Sequence, residues 1–325
     1  MDINWGIIGA GFIASQFVKD YQYISDGHIM AVASRSKKKA ESFANEYGIN
    51  KAYEGYNTLL EDKDIDAVYI ATPHNLHYEN TLAAIKNKKA VLCEKPAAVN
   101  MGQLKEMIDM ARKNNVLFME AMWTYLLPPV AEAKKWIRSG EIGEITLIQA
   151  DFGVFMNFPP EHRINNPHLA GGGLLDLGIY PVALANLMAD NEIQNIQAMA
   201  KFGETQVDET TVMHLNYKKG TLAQLICSTK NPTAHEAHIY GTKGRIYLPS
   251  FWKARKAILT TPQKEICYDD TRDSIGYNYE IEEMNELMKK NAKESNIITY
   301  SSSLKNMETL DSIRKEIKLQ YPFEK

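Results

Sequence analysis

Cysteine is scarce in this chain of 325 residues: Cys93, Cys227 and Cys267 are odd in number, widely spaced and without Cys-x-x-Cys spacing. That excludes a disulfide scaffold and fits a reducing, cytoplasmic compartment. No stretch reads as the roughly 18 apolar residues of a membrane span, and the N-terminus lacks the basic-then-apolar layout of a signal segment. Positive charge is not in excess either. A net charge of -3, from 37 basic and 40 acidic residues, argues against nucleic acid or an anionic membrane as partner. Internal repeats, low-complexity tracts, metal-ligand spacings and a Gly-x-Ser-x-Gly elbow are all missing. His235 and His238, three apart in an expected strand, project to opposite faces and make a poor metal pair. What is left is a globular composition, 45% hydrophobic and 24% charged, at a length that suggests two domains.

The informative stretch is Gly9-Ala10-Gly11-Phe12-Ile13-Ala14, between the apolar run Ile3–Ile8 and the amphipathic segment Phe12–Ile24. Strand before and helix after make it a dinucleotide-binding βα turn. Gly9 permits the tight turn, Gly11 lets backbone approach a pyrophosphate, and Ala14 keeps helix close to strand. The helix start at Phe12 and Ile13 offers N–H groups and the positive dipole end to phosphate.

Apolar runs continue at Ile29–Ala33, Ala67–Ala71, Val91–Cys93 and Val116–Met119, alternating with helical patterns at Lys37–Tyr47, Leu76–Asn87 and Met101–Lys113. Alternation of this kind implies a doubly wound parallel sheet over residues 1–122, an α/β Rossmann domain. From Trp123 onward the rhythm changes. A helix near Val130–Ser139, a long strand Glu144–Phe155 and a Pro/Asn-rich loop lead to Gly171-Gly172-Gly173 and the helix Leu174–Met188. Strands at Ile193–Phe202, Thr210–Tyr217, Thr221–Ser228, Glu236–Tyr240 and Gly244–Leu248 then follow at hairpin spacing. Residues 123–325 therefore read as an α+β domain with a large, open, mostly antiparallel sheet. Helical patterns at Tyr277–Ala292 and Leu304–Leu319 close the chain, the last expected to pack back on the first domain. The ligand site is expected between the two domains.

NAD-specific folds place an acid at the end of the second strand, where it holds the ribose 2′-hydroxyl. Here that strand ends Ala33-Ser34-Arg35-Ser36, with no acid. Ser34 can donate to a 2′-phosphate, Arg35 can pair with it or stack on adenine, and Lys38 or Lys39 can add charge; Lys37 reads as a solvated helix face. NADP is expected over NAD. Three further segments end strands or enter the second domain: Ala71-Thr72-Pro73-His74 with His77 one turn on, Cys93-Glu94-Lys95-Pro96, and Gly171 to Tyr180. Asp176 and Tyr180, four apart, share a helix face.

Taken in order, these segments resemble the Gfo/Idh/MocA family of two-domain NAD(P)-dependent oxidoreductases, and within it the dihydrodiol dehydrogenase/NADP-dependent D-xylose dehydrogenase branch. The likeness covers the whole length and includes Met119-Glu120-Ala121-Met122-Trp123-Thr124 and Gly241-Thr242-Lys243-Gly244. It implies that Lys95 is the active-site lysine and Tyr180 the proton donor and acceptor, with Asp176 orienting Lys95 or binding a substrate hydroxyl. A phenol ionises near pH 10, so a neighbouring ammonium would favour its phenolate. It further implies that Thr72, Pro73 and His77 lie on the nicotinamide side, that Glu94 contacts the nicotinamide ribose, and that Pro96 follows a cis bond. Trp123, Phe152, Arg163 and Trp252 are the residues expected around a sugar, polyol or diol, the aromatic rings as walls and Arg163 as a hydrogen-bond donor. After Trp123-Thr124 relatives of this branch commonly carry Arg, whereas this chain has Tyr125-Leu126-Leu127, a departure that puts their substrate specificity in doubt here. The resemblance also implies a homodimer built on the open sheet face. A non-catalytic NADP-binding sensor and a reductase of an unrelated unsaturated or tetrapyrrole ligand share the fold; the pair Lys95 and Tyr180 argues for catalysis.

Overall fold

The computed structural model describes residues 2–324, which divide into two compact units. One runs to Trp123 and takes in Asp273–Leu304; the other comprises Thr124–Arg272 and the chain from Lys305 onward.

The first unit carries six parallel strands: β1 (Ile3–Ile8), β2 (Gly27–Ser34), β3 (Lys51–Glu54), β4 (Ala67–Ile70), β5 (Ala90–Glu94) and β6 (Phe118–Ala121). Their order is β3-β2-β1-β4-β5-β6, so the winding reverses between β1 and β4, where ligands of such sheets bind. β4 and β5 are buried at every position, as a sheet covered on both faces requires. The sequence pattern does not show β3 because it is an edge strand, half-exposed throughout and without an apolar run. The helix that completes this unit is Tyr277–Lys289, not the last one. Its attachment is polar as well as apolar. The Asp20 carboxylate accepts the N–H groups of Ile275, Gly276 and Tyr277 at 2.7–2.9 Å, and Asn285 Oδ1 accepts Trp5 Nε1–H at 3.0 Å.

The second unit holds an eight-stranded sheet of β7 (Ile145–Gly153), β8 (Ile193–Phe202), β9 (Asp208–Tyr217), β10 (Leu222–Ser228), β11 (Ala237–Gly241), β12 (Arg245–Leu248), β13 (Lys256–Thr260) and β14 (Glu265–Asp269). Its order is β14-β13-β12-β11-β7-β10-β9-β8, and every neighbouring pair is antiparallel except β7 with β10. On β9, Thr211, Met213, Leu215 and Tyr217 are buried while His214 faces out. The helical stretch Pro167–Ala189 covers the buried face. By length and composition it could cross a membrane, contrary to the reading of the sequence, and 89% of its apolar window is buried inside the protein. A helix apolar on all sides is what a core position demands.

Candidate functional site

The nucleotide half of the site begins where β1 ends. Gly9 has φ +106°, and a Cβ there would lie 2.7 Å from the Ala71 carbonyl oxygen, so the turns after β1 and β4 meet closely at the winding reversal. Gly11 caps the helix Phe12–Asp20 without any side-chain capping bond, and no atom lies within 4 Å of where its Cβ would be. The first turn carries no acid, and the Phe12 side chain is exposed. An open cradle before an uncapped helix start fits a pyrophosphate. At the end of β2, Ser34 is buried and its Oγ accepts the Ser36 N–H at 3.5 Å, which leaves the hydroxyl proton to donate outward. Arg35, Lys38 and Lys39 are exposed, and Ser36 Oγ caps the helix Lys37–Tyr47 through the Lys39 N–H at 3.4 Å. Lys37 pairs with Glu41 at 3.9 Å on the solvent face.

The turns after β4 and β5 are tied by His77, which is fully buried. Its Nε2 lies 2.8 Å from the Thr72 carbonyl oxygen and its Nδ1 2.8 Å from that of Pro96. This differs from the expected nicotinamide contact: both ring nitrogens are engaged with backbone, so His77 holds the two loops in register. His74 starts a short 3-10 turn and sets its ring edge-on to His77 at 5.7 Å. Thr72 Oγ1 accepts from Asn80 Nδ2 at 3.2 Å, and Pro73 precedes the 3-10 turn. Glu94, expected at the nicotinamide ribose, ends β5. Its carboxylate is buried, accepting the Tyr69 hydroxyl on one oxygen and the Lys95 N–H at 3.2 Å on the other. The Lys95–Pro96 bond is cis. Beneath it, Glu120 Oε1 accepts the Ala97 N–H at 3.0 Å. Burial pushes the Glu120 carboxyl up, against the opposing influence of Ser303, the Ala97 N–H and the Lys95 charge. Trp123 is not a substrate wall but a core ring: it is fully buried and stacked on Tyr277 at 4.9 Å.

In the second unit the chain expected as one helix from Leu174 starts with a π turn, Leu174–Gly178, and becomes α-helical at Ile179. π turns of this kind recur at functional sites. The turn before it is held by Asp208, which the sequence reading missed. Asp208 is fully buried, and its Oδ2 accepts the Leu174 N–H at 2.7 Å and the Thr211 hydroxyl at 2.9 Å. A Cβ on Gly172 would stand 2.2 Å from its other oxygen. Burial pushes the Asp208 carboxyl up to about 6, opposed by those hydrogen bonds. On the π turn, Asp176 is buried and forms an ion pair with Arg163, so Arg163 is directed at a protein carboxylate rather than held in reserve for substrate hydroxyls.

Four residues further on, Tyr180 stands edge-on to Phe152 at 5.3 Å and to Trp252 at 6.1 Å, while Phe152 and Trp252 stack at 4.7 Å. Lys253 Nζ lies over the Trp252 ring at 4.9 Å. Phe152, Tyr180 and Trp252 were each expected at the site, and the second unit brings them together. His235 joins them, edge-on to Phe152 at 5.0 Å. It does not lie in a strand: β11 starts at Ala237, and His235 has φ +61°. In this non-strand conformation its ring stands in the cluster, and spacing along the sequence carries no sign of it.

A reversed-winding Rossmann unit with an uncapped phosphate cradle, followed by an open-sheet unit bearing a tyrosine in an aromatic cluster, defines an NAD(P)-binding oxidoreductase. Residues 3–122 match the family described as "Oxidoreductase family, NAD-binding Rossmann fold", and residues 130–247 match the "GFO/IDH/MocA C-terminal domain". The chain belongs to the Gfo/Idh/MocA family. It is 33% identical over 335 residues to a trans-1,2-dihydrobenzene-1,2-diol dehydrogenase of Mus musculus, covering 100% of both chains. To that of Danio rerio it is 32% identical, over 99% of this chain and 98% of the other. Among solved structures, the aldose-aldose oxidoreductase of Caulobacter crescentus complexed with glycerol superposes with a TM-score of 0.89 at 20% identity, over 98% of each chain. A 3-ketoreductase of Actinomadura kijaniata in complex with NADP and TDP-benzene gives 0.87 at 24% identity, again over 98% of each.

Proposed function

We propose that this chain is an NADP-dependent dehydrogenase that moves a hydride between the nicotinamide and the carbinol or carbonyl carbon of a sugar, polyol or related diol. The observation that carries this reading is Tyr180, a phenol set edge-on to the Phe152 and Trp252 rings in a chain whose other unit is built for a dinucleotide. NADP, when bound, exchanges the hydride at nicotinamide C4. Tyr180 takes the hydroxyl proton as the carbonyl forms and returns it in the reverse direction. In this reading Lys95, at the end of β5, is the active-site lysine that the family resemblance implies; an ammonium beside the phenol would favour the phenolate that this requires. Ser34 and Arg35, with Lys39 adding charge, favour a 2′-phosphate where NAD-specific relatives would carry an acid. The relatives named above act, by their names, on diols, ketones and aldoses, which share a CH–OH or C=O centre.

The working form, in this reading, is a homodimer covering the outer face of the second sheet. Met199 and Leu222 are exposed there at 77% and 52%, and a groove of about 440 Å³ runs between Leu147, Gln197, His214 and Gln224. Leu147, Met199 and Leu222 give that otherwise polar face an apolar strip for a second copy to cover. Three free cysteines, Cys267 exposed among them, suit a reducing compartment.

The test is intrinsic-fluorescence titration with NADPH and NADH, followed by nicotinamide absorbance against a panel of aldoses, cyclitols and cyclic diols. NADPH is expected to bind tighter than NADH, with turnover on one substrate class. Tight binding without turnover across the panel would instead support a sensor.

A further inference from the structure

His235 is the member of the aromatic cluster to which the proposed chemistry gives no task. Its Nε2 lies 2.6 Å from the Gly153 carbonyl oxygen. A carbonyl oxygen can only accept, so Nε2 carries a proton, and in the neutral imidazole Nδ1 then presents a lone pair. The residue is fixed by its backbone as well. Its N–H donates to Asp151 Oδ2 at 2.9 Å and its carbonyl accepts the Phe251 N–H at 3.0 Å, which together hold a non-glycine residue at φ +61°. Conformations of that kind cost free energy and persist where the surroundings enforce them. The ring so held stands edge-on to Phe152 at 5.0 Å and to Trp252 at 6.4 Å, the same two rings that Tyr180 meets edge-on. An acceptor of fixed tautomer and the proton-transferring phenol therefore border one aromatic wall.

We propose that His235 is a specificity-determining residue whose Nδ1 accepts a hydrogen bond from a second hydroxyl of the substrate while the substrate ring lies against Trp252, which Phe152 backs from the buried side. The substrate class is then a cyclic polyhydroxy compound, a pyranose or cyclitol, rather than a carbonyl compound with a single polar group. This rests on the dehydrogenase reading above, with Tyr180 at the reacting hydroxyl. An aromatic wall alone binds a ring face without reading hydroxyl positions; one fixed acceptor makes the site reject the analogue that lacks the matching donor.

The experiment is steady-state kinetics with NADP on aldopyranoses, cyclitols and their monodeoxy analogues, for the wild type, His235→Phe and His235→Gln. The wild type is expected to lose about three- to tenfold in kcat/KM on one monodeoxy analogue, the size of one neutral hydrogen bond, and to lose it through KM. His235→Phe keeps a flat ring beside Phe152 and is expected to bring the parent substrate down to the level of that analogue, with kcat within about twofold. His235→Gln, which restores an acceptor, is expected to recover part of the discrimination and serves if the Phe variant does not fold. An equal loss on every substrate, or discrimination unchanged in both variants, would overturn the assignment of His235 while leaving the dehydrogenase standing. Absence of turnover by the NADPH-binding wild type on the whole panel would overturn both.

Discussion

Arg163 meets Asp176 through both prongs of its guanidinium, Nη1 2.9 Å from Oδ1 and Nη2 3.4 Å from Oδ2. The pair links the loop before the glycine triplet to the π turn that precedes Tyr180. The carboxylate side is 8% exposed and the guanidinium 44%, so water screens one partner and not the other. Removing the arginine leaves a charge with little solvent. Arg163→Met should cost about 1–2 kcal/mol in denaturant unfolding, less than a fully buried pair because of that screening. It should lower kcat/KM about tenfold, since orientation of a catalytic group is sensitive to small displacements. NADPH affinity should not change; a parallel loss of NADPH binding would mean the pair supports more than its own turn.

Gly9 and Gly11 separate folding from binding. A Cβ on Gly9 collides with the Ala71 carbonyl at 2.7 Å in a backbone conformation that side chains rarely adopt, whereas one on Gly11 meets nothing within 4 Å. Gly9→Ala should therefore destabilise the protein by about 1–3 kcal/mol. Gly11→Ala should leave Tm within a degree or two yet weaken NADPH by roughly tenfold or more, because only the ligand occupies that space. Thermal melts with and without NADPH read both effects.

At the end of β2, Arg35→Ala should weaken NADP by about tenfold or more and NAD by much less, since the lost partner is a charged 2′-phosphate contact. Titration of both nucleotides at two salt concentrations checks it. Equal losses would remove the phosphate assignment.

Asp208 gives a pH signature. Its carboxyl is pushed up to about 6 by burial, against an ordinary value of 3.8. The native state therefore holds this proton more tightly than the unfolded chain does. The associated stability is fully present below about pH 4 and is lost as the pH rises through about 6. Asp208→Asn, always neutral, should gain on the wild type by about 1–3 kcal/mol between pH 4 and pH 8. The comparison is urea unfolding of both proteins across that range; a difference independent of pH would sink the argument.

Lys95→Met should abolish turnover and leave NADPH binding within a few-fold, and Tyr180→Phe should remove most activity, about 100-fold or more, with the fold intact. Loss of NADPH binding in the first would make Lys95 a cofactor anchor. Near-normal rates in the second would move proton transfer away from Tyr180.

Much of this protein is legible along the chain because its signals are local. The strand Ile3–Ile8, the glycine turn and the helix starting at Phe12 are each fixed by residues within a dozen positions of one another. The same holds for the helix Lys37–Tyr47 and the strand Ile193–Phe202, whose limits the pattern of apolar residues reproduces. Where the apolar signal is weak, as in the edge strands Lys51–Glu54 and Glu265–Asp269, the sequence is silent because half-exposed strands need no apolar run.

By itself, then, the sequence determined a Rossmann nucleotide turn without an acid at the end of the second strand and an open-sheet second domain, and it named Lys95 and Tyr180 as the residues to test. Tertiary structure decided how the side chains are used. His77 ties two loops, Glu94 accepts from Tyr69, Trp123 became core, Arg163 was directed to Asp176, and Asp208 and His235 entered from strands and loops far along the chain. Backbone conformation and hydrophobic period are set by near neighbours, whereas the partner of a buried charge or ring is chosen by whatever the fold brings within about 3–6 Å of it.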